Sequence, residues 1–94
     1  MGAPRRWVRR ADVAWTAQDE RVVVLDLRHL DRAPAILEGS SAVVWALLDD
    51  PVEEPALARD VADLYGVSTD EVTGSVVAFL TDLDRRGLVE HHVS

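Results

Sequence analysis

Residues 32–50 read RAPAILEGSSAVVWALLDD, and the fold turns on where the hydrophobic period changes inside them. From Arg32 to Leu37 the alternation is that of a short strand, with a period of two. After Glu38-Gly39 the apolar residues Val44, Trp45, Leu47 and Leu48 recur at helical spacing, and Ser40 or Ser41 can cap the helix. Pro34 has no N–H to give to a ladder, which places this strand at the edge of its sheet. An edge exposes unpaired N–H and C=O groups and is a template for another chain unless something covers it.

Two more strands precede this one. RVVVLDL (21–27) is rich in β-branched residues, and DVAWT (12–16) alternates; AQDE (17–20) and RHLD (28–31) read as polar turns. Three short strands joined by short turns make an antiparallel meander. Downstream, a second helix begins near Pro55, a residue suited to a first turn, and ends at Gly66. Ser68-Thr69-Asp70-Glu71 reads as a capping box for a third helix, which Gly87 stops. The expected fold is α+β and winged-helix-like: a three-stranded antiparallel meander followed by three helices. Residues 1–11 are expected to be a flexible Arg-rich arm, 12–90 the domain and 91–94 a tail.

At about 100° per residue, Val72, Val76, Phe79, Leu80 and Leu83 form the core stripe of the third helix. Val77 falls off that stripe, on the flank that also carries Thr73 and Asp84. That flank is either solvated or lines a groove beside the edge strand.

With 94 residues the chain is one domain, and its 48% apolar content suffices for a small core. It has no cysteine, which excludes disulfides, thiolate metal sites and a cysteine nucleophile. No apolar stretch approaches the roughly 20 residues that span a bilayer, and a cytoplasmic location without membrane contact is expected. No Walker lysine, GxGxxG, GxSxG or HExxH is present. His91-His92 read as polar tail, and the paired acids as solvated charges. The expectation is a protein that is not an enzyme and holds neither metal nor cofactor.

Charge is uneven. Residues 1–32 hold seven Arg against five acids, and residues 33–94 hold three Arg against twelve acids. The run RRWVRR (5–10) could contact nucleic acid. A winged-helix regulator would read DNA with its third helix, but Asp70, Glu71, Asp82 and Asp84 on that helix disfavour a phosphate surface. No nucleic-acid partner is expected.

The order of these pieces resembles PqqD-like domains. APAILEGSSAVVWALLDD matches their strand, turn and helix, with Val44-Trp45-Ala46-Leu47-Leu48-Asp49 in place of the family's IW-x-LLD run. VADLYGVSTDEV is similar to the second helix, turn and third-helix start, and Phe79-Leu80-Thr81-Asp82-Leu83 with Arg86-Gly87-Leu88-Val89 to the close. The resemblance covers residues 12–90. It implies a recognition element of ribosomally made, post-translationally modified peptide pathways, which binds the leader segment of a precursor peptide. Among such proteins the chain is most similar to the discrete leader-binding B1 protein of lasso-peptide biosynthesis; the pyrroloquinoline quinone pathway chaperone is the alternative. The partners implied are the precursor leader, a B2-type leader peptidase and a cyclase.

The resemblance further implies that the leader adds as an antiparallel strand to the third strand, beside the third helix, by β-augmentation. The residues so implied are Arg32, Ala33, Pro34, Ala35, Ile36, Leu37, Val76, Val77, Leu80 and Asp84. Arg32 and Ile36 would turn their main-chain groups toward the peptide, and Asp84 would meet a basic leader residue. Plain core packing is the more expected role for Leu37, Val76 and Leu80 taken individually; it explains Pro34, Ile36 and Val77 less well. Many relatives carry an aromatic residue and an Asn near the third strand, where this chain has small residues and Glu38, so its cleft is expected to differ in shape and charge.

Overall fold

A computed structural model describes residues 5–93 of the chain. It is an α+β fold with three helices and two three-stranded antiparallel sheets. In chain order the elements are β1 (Arg5–Arg9), β2 (Val13–Gln18), β3 (Arg21–Asp26), β4 (Ala35–Glu38), α1 (Ser40–Ala46), β5 (Val52–Glu53), α2 (Glu54–Tyr65), α3 (Thr69–Arg85) and β6 (Val89–Val93).

The expected meander is one of the sheets, in the order β2-β3-β4. Its first turn is tighter than the four residues read from the sequence. Only Asp19 and Glu20 lie between the strands, both at positive φ (51° and 64°). This is the two-residue hairpin turn whose twist suits the flanking strands. The third strand starts at Ala35, so Arg32, Ala33 and Pro34 belong to the loop that precedes it.

The second sheet, in the order β5-β1-β6, was not foreseen. Residues 5–9, expected in a flexible arm, form its central strand. Residues 91–93, expected as tail, complete β6, with Trp7 opposite His91 and Arg9 opposite Val89. Residues 1–4 and Ser94, which were assigned to the same arm and tail, lie outside the described residues. The cause is Trp7. Its side chain is 3% exposed, its indole N–H donates to Glu54 Oε1 at 2.8 Å, and its ring lies 4.6 Å from that of His91.

The helices follow the local signals, with small differences. Gly39, and neither serine, is the N-cap residue of α1; its φ of 59° and ψ of −131° let the chain leave β4 and enter the helix at once. Ser41 Oγ instead donates to the Glu38 carbonyl at 2.8 Å. Pro55 sits in the first turn of α2. Ser68 is the N-cap residue of α3 but makes no side-chain cap bond. Leu88 N–H donates to Leu83 O and Gly87 N–H to Asp84 O, the paired bonds of a Schellman stop, with Gly87 at φ 72°. The core gathers around Trp45, Leu48 and Leu57, each 0% exposed, with Val24, Val44, Val76, Leu80 and Leu83.

Candidate functional site

Among the described residues the meander has two free edges, β2 and β4. Which main-chain groups they expose follows from the hairpin. The closing pair of a two-residue hairpin is hydrogen-bonded, and such pairs alternate with non-bonded ones. Gln18 and Arg21 are therefore bonded, as are Thr16 with Val23 and Ala14 with Leu25. The next pair in the series is seen directly, where Leu27 N–H donates to Asp12 O at 3.1 Å. Val22 and Val24 must then turn toward β4, where they face Leu37 and Ala35. Ile36 and Glu38 are left with N–H and C=O directed away from the sheet.

Pro34 has the same parity as Ile36. Its missing N–H would have pointed outward, so it removes no bond to β3. Arg32 shares the parity but lies outside the strand. The Ile36 side chain is 55% exposed and stands opposite Val23 on the outer face. Beside it, Glu38 pairs with Arg21 at 3.3 Å. Leu37 (4% exposed) points the other way, into the core.

Two hollows bracket the edge. One, of about 340 Å³, opens where β4 gives way to α1; Ser40, Tyr65, Val67, Val72, Ser75 and Phe79 are among its walls. The other, of about 190 Å³, lies before β4, between Arg32, Ala33, Pro34, Ala35, Asp26 and Arg86. Helix α3 lines the first hollow with Ser75 and Phe79, and its C-cap residue Arg86 lines the second, so the flank that carries Ser75, Phe79, Asp82 and Arg86 borders both hollows. These residues recur at three- and four-residue spacing and lie on one side of the helix.

The sequence assigned the opposite flank to the cleft. Val77 instead borders a third hollow, of about 330 Å³, formed with Glu54, Pro55, Arg59 and Thr73 at the start of α2. Asp84 lies 3.7 Å from His91 of β6, on the side of the other sheet. Val76 and Leu80, each 1% exposed, are core between the two flanks. Of the ten residues singled out from the sequence, the structure brings Pro34, Ala35 and Ile36 to the edge and leaves Arg32 and Ala33 at its end. Ser75 and Phe79, which line the hollow past the end of β4, were not singled out from the sequence. Phe79 was legible only as part of the core stripe, though it is but partly buried.

A charged network fixes the end of β3 behind this edge. Asp26, 7% exposed, accepts from the Arg28 backbone N–H at 2.9 Å and from its guanidinium at 3.1 and 3.2 Å. Arg28 also donates to Gly87 O at 2.6 Å and meets Asp12 at 3.3 Å. Asp12 in turn accepts from Arg10 at 2.9 and 3.2 Å. Burial raises the Asp26 carboxyl pKa, but the Arg28 backbone and guanidinium bonds outweigh it, and the net direction is down. The Arg10 hydrogen bond is the main cause that lowers Asp12. Both acids are held ionised and occupied by arginines, a structural arrangement with no free proton to transfer. Among the described residues, no group of three or more His, Asp or Glu is placed to hold a metal, and no helix is long and apolar enough to cross a membrane.

The sequence profile of the family described as coenzyme PQQ synthesis protein D (PqqD) matches residues 21–89, from the start of β3 to the start of β6. The chain belongs to the PqqD family. As a PqqD-family protein it is also similar in fold to a solved structure, TbiB1 in complex with the TbiA(beta) leader peptide. The TM-score is 0.76 and the identity 22%, over 88% of this chain and 94% of that one. At this identity the likeness is one of fold. No curated protein matches the chain by sequence.

Proposed function

We propose that this PqqD-family protein is a non-catalytic adaptor that binds the leader segment of a ribosomally made precursor peptide. The leader adds as an antiparallel strand to the free edge of β4. The observation that carries this reading is the parity of that edge: Ile36 and Glu38 turn their main-chain groups outward, between a hollow lined by α3 and one lined by its C-cap residue Arg86. Strand addition takes its affinity from such groups and its selectivity from pockets for alternate side chains. The apolar hollow of Tyr65, Val67, Val72 and Phe79 would take a large apolar leader residue. The hollow at Arg32 and Arg86 would hold the other end. Val77 and Asp84 are not among the contacts proposed.

Membership of the PqqD family and the fold shared with a protein solved in complex with a leader peptide support the reading. We assign the chain to the lasso-peptide type, acting in the cytoplasm and delivering the bound precursor to a B2-type peptidase and a cyclase. Fluorescence-polarisation titration against labelled leaders from neighbouring precursor genes tests binding. Co-purification with the peptidase, with and without leader, tests delivery. Binding to a pyrroloquinoline quinone precursor in preference to a lasso leader would reassign the pathway. Failure to bind any such leader would remove the adaptor reading.

A further inference from the structure

The two hollows that bracket β4 differ in chemistry. The one past its C-terminal end is walled by Tyr65, Val67, Val72 and Phe79, with Glu71 as its only charged residue. The one before its N-terminal end holds three charges, Asp26, Arg32 and Arg86. These three are not equivalent. Asp26 is buried and taken up by the backbone N–H and guanidinium of Arg28. Arg86 has an ion pair with Asp82 at 3.1 Å. Arg32 is exposed, and the ion pairs of the described residues use Arg6, Arg9, Arg10, Arg21, Arg28 and Arg86 but not Arg32. Its chain neighbour Asp31 does not line the hollow. With each pair counted as neutral, the Arg32 guanidinium is the charge left over.

We propose that Arg32 receives a carboxylate of the leader, placed C-terminal to the apolar leader residue and an even number of residues from it. The inference rests on the reading that a leader adds to β4. Antiparallel addition fixes the order: the N-terminal part of the leader meets Gly39 and Ser40, and its C-terminal part meets Pro34 and Arg32. Strand alternation fixes the spacing. Leu37 and Ala35 turn inward and Ile36 outward, and a leader side chain shares the face of the residue it stands opposite. Both hollows lie on the inner side, since buried Val24 and Asp26 wall one and buried Val76 the other. The side chains that enter them therefore stand opposite Gly39 at one end and opposite Ala35 or Ala33 at the other. That separation is four or six residues; an odd one would leave one side chain on the outer face with Ile36. Charge sets the polarity. Residues 33–94 hold three Arg against twelve acids, so most of this surface repels a carboxylate. Glu71 would repel one at the apolar hollow, and the same leader would not fit in reverse order.

The test is a fluorescence-polarisation titration with a labelled leader from a neighbouring precursor gene. In a second set of peptides each Asp or Glu of that leader is replaced in turn by Asn or Gln. Arg32 is exposed and in a loop, so Arg32→Glu should fold as the wild type does by circular dichroism. It should weaken binding of the unmodified leader about tenfold in dilute salt, and about twofold or less near 0.5 M salt. Neutralising one leader carboxylate should cost about fivefold with the wild type and nothing with Arg32→Glu. Changing that same leader residue to Arg should restore binding to Arg32→Glu. The apolar leader residue is located in the same way, as the one whose change to Ala has no further effect on Phe79→Ala. A leader with no carboxylate coupled to Arg32 overturns the proposal. So does a coupled carboxylate that lies N-terminal to the apolar residue, or an odd number of residues from it. If the wild type still binds and Ile36→Pro does not, those results remove the carboxylate and leave strand addition standing. A wild type that binds no leader removes both.

Discussion

Replacing Ile36 by proline tests the β4 edge with little disturbance of the fold. The Ile36 N–H points away from β3, so proline removes no ladder bond. The side chain lost is 55% exposed, and the backbone is already extended. Destabilisation should stay below about 1 kcal/mol, a fall in Tm of no more than roughly 4–8 °C for a domain of this size. Binding is another matter. A leader strand on this edge would bring a carbonyl to the place of the missing N–H and leave it unpaired. An unsatisfied buried acceptor costs about 1–3 kcal/mol, equivalent to a weakening of about 5- to 150-fold. Leu37→Pro is the contrast. That residue is 4% exposed and its N–H belongs to the pair with Val22, so the variant should fail to fold. The assay is fluorescence-polarisation titration with a labelled leader, alongside circular dichroism of each variant. A folded Ile36→Pro that binds as tightly as the wild type would refute strand addition at β4.

Phe79→Ala should weaken leader binding about tenfold by opening the apolar hollow, whereas Val77→Ser, on the other flank of α3, should leave it within about twofold; the same titration separates the two flanks. Glu20→Gly should stabilise the protein by about 1 kcal/mol, because Glu20 holds a left-handed conformation that glycine adopts freely; the thermal midpoint reads it. Trp7→Ala should cost about 3–5 kcal/mol, a large share of the total for a domain of this size, and urea unfolding would show that residues 5–9 are integral to the fold. Acid should destabilise the protein through Asp12 and Asp26. Their folded pKa values lie below the ordinary aspartate value, so their contribution is complete above the unfolded value and is lost as pH falls through the lowered ones. Urea midpoints should drop below about pH 4, and less steeply in Arg28→Ala.

The meander strands, the three helices and their stops were legible because each is set by residues within a few positions. The change of period at Gly39, the β-branched run at 21–26, Pro55 in a first turn and the stop at Gly87 all act locally, and each holds in the structure. Local chemistry also placed Ile36 on an edge, through Pro34. The parity of that edge depended on the hairpin. A one-residue change of register turns every group to the other side, and it was the two-residue turn at Asp19-Glu20 that fixed it.

What remained lay in contacts between distant parts of the chain. RRWVRR reads as a basic arm because its partner strand begins at Val89; only when Trp7 meets His91 and Glu54 does it become the centre of a sheet. Helix periodicity showed that α3 has a buried stripe with two flanks, but a stripe is symmetric about its own axis. Thr73 and Val77 border the hollow at the start of α2 and Asp84 meets His91 of β6, which leaves the other flank, Ser75 and Phe79, at the hollow beside Ser40, just past the end of β4. The sequence by itself determined the meander, the three helices and one edge strand. The tertiary structure decided which side of the helix faces that edge, because the choice is made by neighbours that the helix does not encode.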